Sequence, residues 1–181
     1  MRTLCVFCGS RSGGRPVYHK AAEQFGRLLT ARGIGLVYGG GRVGLMGTLA
    51  DSALARGGKV TGVIPRALVE REVAHNGLTT LHVVDSMHER KELMARLSDA
   101  FVALPGAFGT FEEFLEAVTW TQLGIHRKPC GVLNVANYFD PLLELCNRAV
   151  TEGFMTAETR GIVIADDDAE RLLDRLDRIR K

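Results

Sequence analysis

The strongest constraint on the fold is a pattern repeated along the whole chain. Short, unbroken apolar runs alternate with longer segments whose apolar residues recur at helical spacing. A run such as Phe101-Val-Ala-Leu104 has no polar face. A strand of that kind must be covered on both sides, as it is in a parallel sheet flanked by helices. The pattern predicts strands at 3–8, 35–38, 59–64, 78–84, 100–104, 129–134 and, more weakly, 162–165. It predicts helices at 17–32, 44–56, 87–97, 109–123, 138–152 and 169–180. The expected fold is α/β, a doubly wound, mainly parallel sheet of Rossmann-like type, with residues 1–181 forming a single domain. The length of 181 residues and a hydrophobic content of 46% suit one sizeable core. Ligands of such sheets bind beyond the carboxyl ends of the strands.

Charge and hydropathy exclude several classes of partner. A net charge of +2 is too small to argue for nucleic acid or an anionic membrane surface. No apolar run approaches the roughly 20 residues that span a bilayer. The first residues lead into a core strand without a cleavable signal pattern, so a cytoplasmic location is expected. Cys5 and Cys8 form a Cys-x-x-Cys, but an offset of three along a strand puts the two side chains on opposite faces. Cys130 and Cys146 lack the spacing of a second zinc knuckle. All four are expected to be reduced, buried thiols, and no metal site is expected.

Residues 104–113, Leu-Pro-Gly-Ala-Phe-Gly-Thr-Phe-Glu-Glu, stand where a strand hands over to a helix. Gly106 and Gly109 let the backbone approach a ligand, Thr110 offers a hydroxyl, and the opening amides of a helix lack intrahelical partners. Amides and dipole together favour an anion such as phosphate. Glu113 then places a carboxylate one turn inside the same helix. The plainer alternative is a glycine-rich turn followed by an ordinary acidic first turn. A second cluster, Gly39-Gly-Gly-Arg-Val-Gly44, satisfies G-x-G-x-x-G, the dinucleotide fingerprint. It follows strand two rather than strand one, and the next strand ends at Arg66 instead of an acid. Arg66 leaves a 2′-phosphate cofactor open, but a loop for a single phosphate is the better reading. Gly9-Ser10 after strand one is a third anion candidate. No Gly-Lys-Ser/Thr follows either cluster, which disfavours ATP hydrolysis. Three such turns on one rim predict a small phosphorylated ligand held mainly by backbone. Met87-His-Glu-Arg-Lys91 opens a helix with cations where acids are preferred. It reads either as a solvated face capped by Asp85 or Ser86, or as a helix start that turns Arg90 toward the rim.

These residues together resemble the Lonely Guy family of cytokinin riboside 5′-monophosphate phosphoribohydrolases, many of which carry a lysine decarboxylase label. The likeness runs through Cys8-Gly-Ser10, Val37-Tyr-Gly-Gly-Gly41, Gly44-Leu-Met-Gly47, Gly62-Val-Ile-Pro65 and Met87-His-Glu-Arg-Lys91. It continues through Leu104-Pro-Gly106, Gly109-Thr110, Thr119-Trp120 and Gln122-Leu-Gly-Ile-His126. The resemblance implies cleavage of the N-glycosidic bond of a nucleoside 5′-monophosphate such as AMP or its prenylated relatives, without metal or organic cofactor. It implies a catalytic pair at Arg90 and Glu113. Further substrate contacts are implied at Glu72, Lys91, Ala107, Phe108, Gly109, Thr110, Phe111, Glu112 and Thr119, beside the backbone turns at Gly9, Ser10, Gly39, Gly40 and Gly41. It also implies at least a homodimer. One position departs from the family signature Pro-Gly-Gly-x-Gly-Thr-x-x-Glu: Ala107 replaces the second glycine. A positive φ there would cost about 1–2 kcal/mol, whereas an ordinary φ would make the change nearly neutral. Two competing readings are a non-catalytic AMP-binding protein and a pyridoxal-dependent lysine decarboxylase. The latter needs a Schiff-base lysine, and Lys20, Lys59, Lys91 and Lys128 lack a recognisable context for one.

Overall fold

The computed structural model of the protein describes residues 1–69 and 73–180. Seven strands form one sheet: β1 (Thr3–Phe7), β2 (Gly35–Tyr38), β3 (Val60–Pro65), β4 (Thr80–Val84), β5 (Ala100–Ala103), β6 (Cys130–Leu133) and β7 (Val163–Asp166). Their spatial order is β4-β3-β2-β1-β5-β6-β7, and every recorded pairing is parallel. The order reverses between β1 and β5. At such a switch point the loops leaving two neighbouring strands diverge to opposite faces and open a crevice.

Helices α1 (Pro16–Ala31), α2 (Gly44–Leu54) and α7 (Ala169–Arg180) cover one face of the sheet. Helices α3 (Met87–Leu97), α4 (Phe108–Gln122) and α5 (Asp140–Thr151) cover the other. The alternation of β1 makes the two layers visible: Leu4, Val6 and Cys8 join the first core, Cys5 and Phe7 the second. Phe25, Leu29, Leu45 and Leu49 fill the first layer, and Met94, Phe101, Phe114 and Phe139 fill the second, all fully buried or nearly so. Truncating Phe101, Phe114 or Phe139 to alanine costs about 3–5 kcal/mol.

All thirteen expected elements are present, with ends shifted by a few residues. The C-terminal expectation of 162–165 becomes Val163–Asp166. Helix α5 starts at Asp140 instead of 138, because Ala136 and Asn137 adopt left-handed backbone (φ 52° and 63°) and break the helical run. The sequence reading did not anticipate one short helix, α6 (Ala157–Arg160), which is capped by the Thr156 hydroxyl accepting from the Thr159 amide. In the irregular stretch at 65–77, the described residues include a 3-10 turn at Arg66–Leu68.

Candidate active site

The site is assembled at the β1/β5 switch point. Helix α3 begins with a reciprocal cap akin to a capping box: the Ser86 hydroxyl accepts from the Glu89 amide at 3.1 Å, and the Glu89 carboxylate accepts from the amide of Asp85, one residue before the cap, at 3.0 Å. Glu89 is thereby committed to the helix start, and the next residue turns inward. Arg90 shares a face with Met94 and is 4% exposed. A guanidinium so deeply placed needs acceptors. Its Nη2 donates to the Gly39 carbonyl at 3.0 Å, and its Nη1 lies 3.7 Å from the Met87 sulfur and 3.9 Å from Glu113 Oε1. The Glu113 side chain is 12% exposed and comes from α4, on the facing side of the same cavity.

That cavity has a volume of about 190 Å³ and is bordered by Cys8, Gly9, Ser10, Met46, Leu68, Met87, Arg90, Ala107, Gly109, Thr110, Glu112 and Glu113. A neighbouring hollow of about 330 Å³ shares Gly9, Ser10 and Ala107 with it and extends to Tyr18 and Tyr138. The cysteine in the wall is not poised for attack. Burial, and secondarily the nearby Glu113 carboxylate, push the Cys8 thiol well above its ordinary range, so it stays protonated.

The three glycine turns behave differently from one another. At α4 the capping residue is Ala107, whose side chain cannot accept a hydrogen bond. The Phe111 amide returns to the Ala107 carbonyl at 3.0 Å, while those of Phe108, Gly109 and Thr110 belong to the first turn and have no intrahelical acceptor. Ala107 itself has φ −117° and ψ −154°, extended backbone that any residue adopts, so its methyl group carries no strain. The Gly9 turn instead turns its carbonyl to α2, accepting from the amides of Leu45 and Met46 at 3.0 and 3.4 Å. In the triplet Gly39–Gly41 all three carbonyls accept hydrogen bonds. Gly39 accepts from Arg90, Gly40 from the His75 amide at 2.9 Å, and Gly41 from the Tyr38 hydroxyl at 3.1 Å. Of the three carbonyls, that of Gly39 meets the guanidinium. Gly39, Gly40 and Gly41 do not border the cavity.

Several other expected contacts lie apart from it. Lys91 bonds to Glu112, and to Glu116 at 3.0 Å, tying α3 to α4. Partial burial pulls its ammonium down, but the two carboxylates outweigh this and hold it above the ordinary lysine range. Phe108 is 90% exposed, Phe111 packs its ring against the second core layer, and Thr119 is exposed more than two turns further along α4. Glu72 lies outside the described residues. Arg66 is exposed and 3.6 Å from Asp85, on the surface. The apolar wall formed by Met46, Leu68 and Met87 was not singled out from the sequence. Two of the three methionine and leucine positions sit inside quoted motifs, Gly44-Leu-Met-Gly47 and Met87-His-Glu-Arg-Lys91, which was the available signal.

A family model described as "Possible lysine decarboxylase" matches residues 46–176. A probable cytokinin riboside 5′-monophosphate phosphoribohydrolase of Oryza sativa subsp. japonica is 52% identical over 174 residues, covering 96% of this chain and 78% of that protein. A cytokinin riboside 5′-monophosphate phosphoribohydrolase of Arabidopsis thaliana is 48% identical, covering 97% and 83%. One of Rhodococcoides fascians is 52% identical, covering 93% and 86%. Among solved structures, the molybdenum cofactor binding protein of Rippkaea orientalis superposes with a TM-score of 0.73 at 21% identity, covering 99% of this chain and 98% of that one. The molybdenum cofactor carrier protein of Chlamydomonas reinhardtii gives 0.73 at 18%, covering 98% and 97%. At that distance the structural likeness speaks for the fold alone.

Proposed function

We propose, from the premise that this chain belongs to the Lonely Guy family of cytokinin riboside 5′-monophosphate phosphoribohydrolases, that it hydrolyses the N-glycosidic bond of adenine-type nucleoside 5′-monophosphates to free base and ribose 5-phosphate. The observation that carries the reading is the convergence of Arg90 and Glu113 on one cavity at the uncapped start of α4. The 5′-phosphate rests on the amides at the start of α4 with the hydroxyls of Ser10 and Thr110 beside it. The ribose lies between Arg90 and Glu113, and the base lies against Met46, Leu68 and Met87. Glu72 serves as a further contact to the base.

In hydrolysis the bond between C1′ and the base nitrogen breaks, and its electron pair leaves with the base. The sugar becomes oxocarbenium-like, a charge that a carboxylate stabilises. Water adds to C1′, and the proton it loses balances the one the base takes up. Glu113 faces the cationic sugar and holds the water. Arg90 does not give up a proton near neutrality. Its positive charge offsets the negative charge building on the departing base, and it keeps Glu113 in place. The family's decarboxylase description is not favoured by this cavity, because no lysine is among the described residues that border it.

The active form is a homodimer. Phe108, Leu115 and Leu123 are exposed along one stripe of α4, at spacings of seven and eight residues, with Thr119 among them. An exposed apolar stripe of this kind suits a second copy. Thr119 is nine residues beyond Thr110, about 13 Å along the helix, so it acts across that contact and not in its own cavity. Buried free thiols at Cys5, Cys8 and Cys130 support a reducing, cytoplasmic setting.

The test is chromatography of AMP and isopentenyladenosine monophosphate after incubation with purified protein. Free base should appear from one or both, Glu113→Gln should slow its release by at least about 10²-fold, and the nucleosides lacking phosphate should be poor substrates. Equal turnover of nucleoside and nucleotide, or full activity in Glu113→Gln, would refute the reading.

A further inference from the structure

The loop after β6 contains backbone that non-glycine residues rarely adopt. Ala136 and Asn137 are both left-handed, and neither is glycine. Such geometry persists where surrounding contacts over-determine it, and it gathers at functional positions. Here the contacts are specific. The Asn134 side chain donates to Asp140 Oδ1 at 2.7 Å and accepts from the Phe139 amide at 2.8 Å, closing the turn. Tyr138 is wedged edge-on between the rings of Tyr18 and Phe139, with centroids at 5.8 and 5.2 Å. The result of the turn is that the Tyr138 hydroxyl donates to the carbonyl of Gly106.

That carbonyl belongs to the same peptide unit as the amide of Ala107. The unit is planar and trans, so its carbonyl and its N–H point in opposite directions. A carbonyl held toward Tyr138, on the side of the larger hollow, turns the Ala107 N–H the other way. Ala107 lines both hollows, and Tyr138 borders only the larger one, so the side away from Tyr138 is that of the cavity of Arg90 and Glu113. The preceding unit is also fixed, because the Pro105 carbonyl accepts from the Gly9 amide at 3.0 Å. Gly106 itself is packed so closely that an added Cβ would lie 2.0 Å from the Thr110 hydroxyl oxygen. A hydrogen bond received by the carbonyl also polarises the peptide and strengthens its N–H as a donor.

We propose that Tyr138 is a positioning residue of the anion site: its hydroxyl locks the Gly106–Ala107 peptide plane so that the Ala107 amide donates to the phosphate of the ligand. The proposal rests on the reading of the α4 start as a phosphate site and names a residue that reading does not require. Tyr138 touches no reacting atom.

The experiment compares wild type with Tyr138→Phe, which keeps the ring and removes only the hydroxyl. Calorimetry with inorganic phosphate and steady-state kinetics with AMP are the readouts. Loss of one neutral hydrogen bond predicts phosphate affinity weaker by about fivefold and KM raised by the same factor. The saturated rate should change by less than about twofold, and melting should stay cooperative. A merely structural tyrosine would lower thermal stability and leave phosphate affinity alone. Unchanged phosphate affinity in Tyr138→Phe overturns the proposal. So does a loss in kcat with KM unaltered. If wild-type protein binds phosphate but never releases base from AMP, the hydrolase reading fails while the calorimetric comparison still decides the role of Tyr138.

Discussion

A methyl group placed on Gly39 would test the site more sharply than removing a catalytic side chain. An ideal Cβ at Gly39 lies 2.0 Å from Arg90 Nη2, 3.2 Å from Cζ and 3.4 Å from the Met46 sulfur. The Gly39 backbone is outside the left-handed region, so Gly39→Ala brings no torsional penalty and acts only through this overlap. Carbon and nitrogen make ordinary contact near 3.5 Å, so the guanidinium must retreat by about 1.5 Å. The retreat breaks its bond to the Gly39 carbonyl, now 3.0 Å, and removes Nη1 from its place 3.9 Å from Glu113. A misplacement of about 1 Å in a catalytic constellation costs about 10²-fold in rate. We expect kcat for base release from AMP to fall by about that factor. KM should stay close to wild type, because the amides at the start of α4 are untouched. Overpacking of this kind costs about 1–3 kcal/mol, so melting should drop by several degrees yet remain cooperative. The assay is chromatographic quantitation of adenine under saturating AMP, with calorimetric phosphate binding as control. A Gly39→Ala enzyme with kcat within threefold of wild type would show that the position of Arg90 is not rate-determining, and the argument would fail.

Three further outcomes follow from the same geometry. Ala107→Gly should leave kcat/KM within about twofold and lower stability by about 0.4–1 kcal/mol, since the alanine is already unstrained and glycine only loosens the unfolded chain; a tenfold gain in kcat/KM would mean that turnover needs a positive φ there. Asp166 is buried and accepts from Arg171 Nε at 2.8 Å, Arg175 Nη1 at 3.0 Å and the Asp168 amide at 3.0 Å. The Arg171 bond foremost holds its carboxyl at about 2, against the opposing effect of burial. Because the folded value lies below that of the unfolded chain, the stabilisation is present above about pH 4 and is lost as pH falls through about 2. Asp166→Asn should cost about 1–3 kcal/mol at neutral pH, with the difference in melting temperature closing toward pH 2; a pH-independent difference would contradict the assignment. Leu115→Glu should weaken the proposed homodimer more than tenfold in sedimentation, by setting like charges against each other across a symmetric contact; a wild-type protein that sediments as a monomer, or a dimer unshifted by the substitution, would refute the proposed contact.

The layering was legible because it follows from pattern alone. Apolar runs without a polar face, such as 101–104, have to be covered twice, and the only economical way to do so is a parallel sheet between helices. Helix starts were legible where side chains do the capping, as at Ser86, but not where backbone conformation decides. In the string Val135-Ala-Asn-Tyr138 only Asn137 is of a type that tolerates left-handed backbone, and nothing announces it at Ala136; the turn is closed by the Asn134 side chain, which bonds Asp140 and the Phe139 amide. Position 138 therefore read as the start of a helix. In the structure it is the end of a turn that reaches the neighbouring loop.

The glycine clusters separate what sequence can say about a site from what it cannot. Glycine reports that backbone and another group approach closely, but it does not report which end of the peptide faces inward. At Gly106 the nearest crowding partner is Thr110, and in the proposal above the following peptide turns its amide toward the cavity. At Gly39 the crowding partner is a cation, so the carbonyl faces inward. The two clusters look alike as strings, yet the Gly39 carbonyl serves a guanidinium while the start of α4 is the proposed anion site. The distinction arises because Arg90 comes from a helix 51 residues away along the chain and approaches the β2 rim from the second face. A motif that demands small residues can be recognised from one strand and its loop; the charge it presents depends on what the opposite layer delivers to it. Arg90, the proposed catalytic arginine, and Gly39 are thus parts of one device, and a substitution in either should fail in the same way: lost rate with retained phosphate affinity.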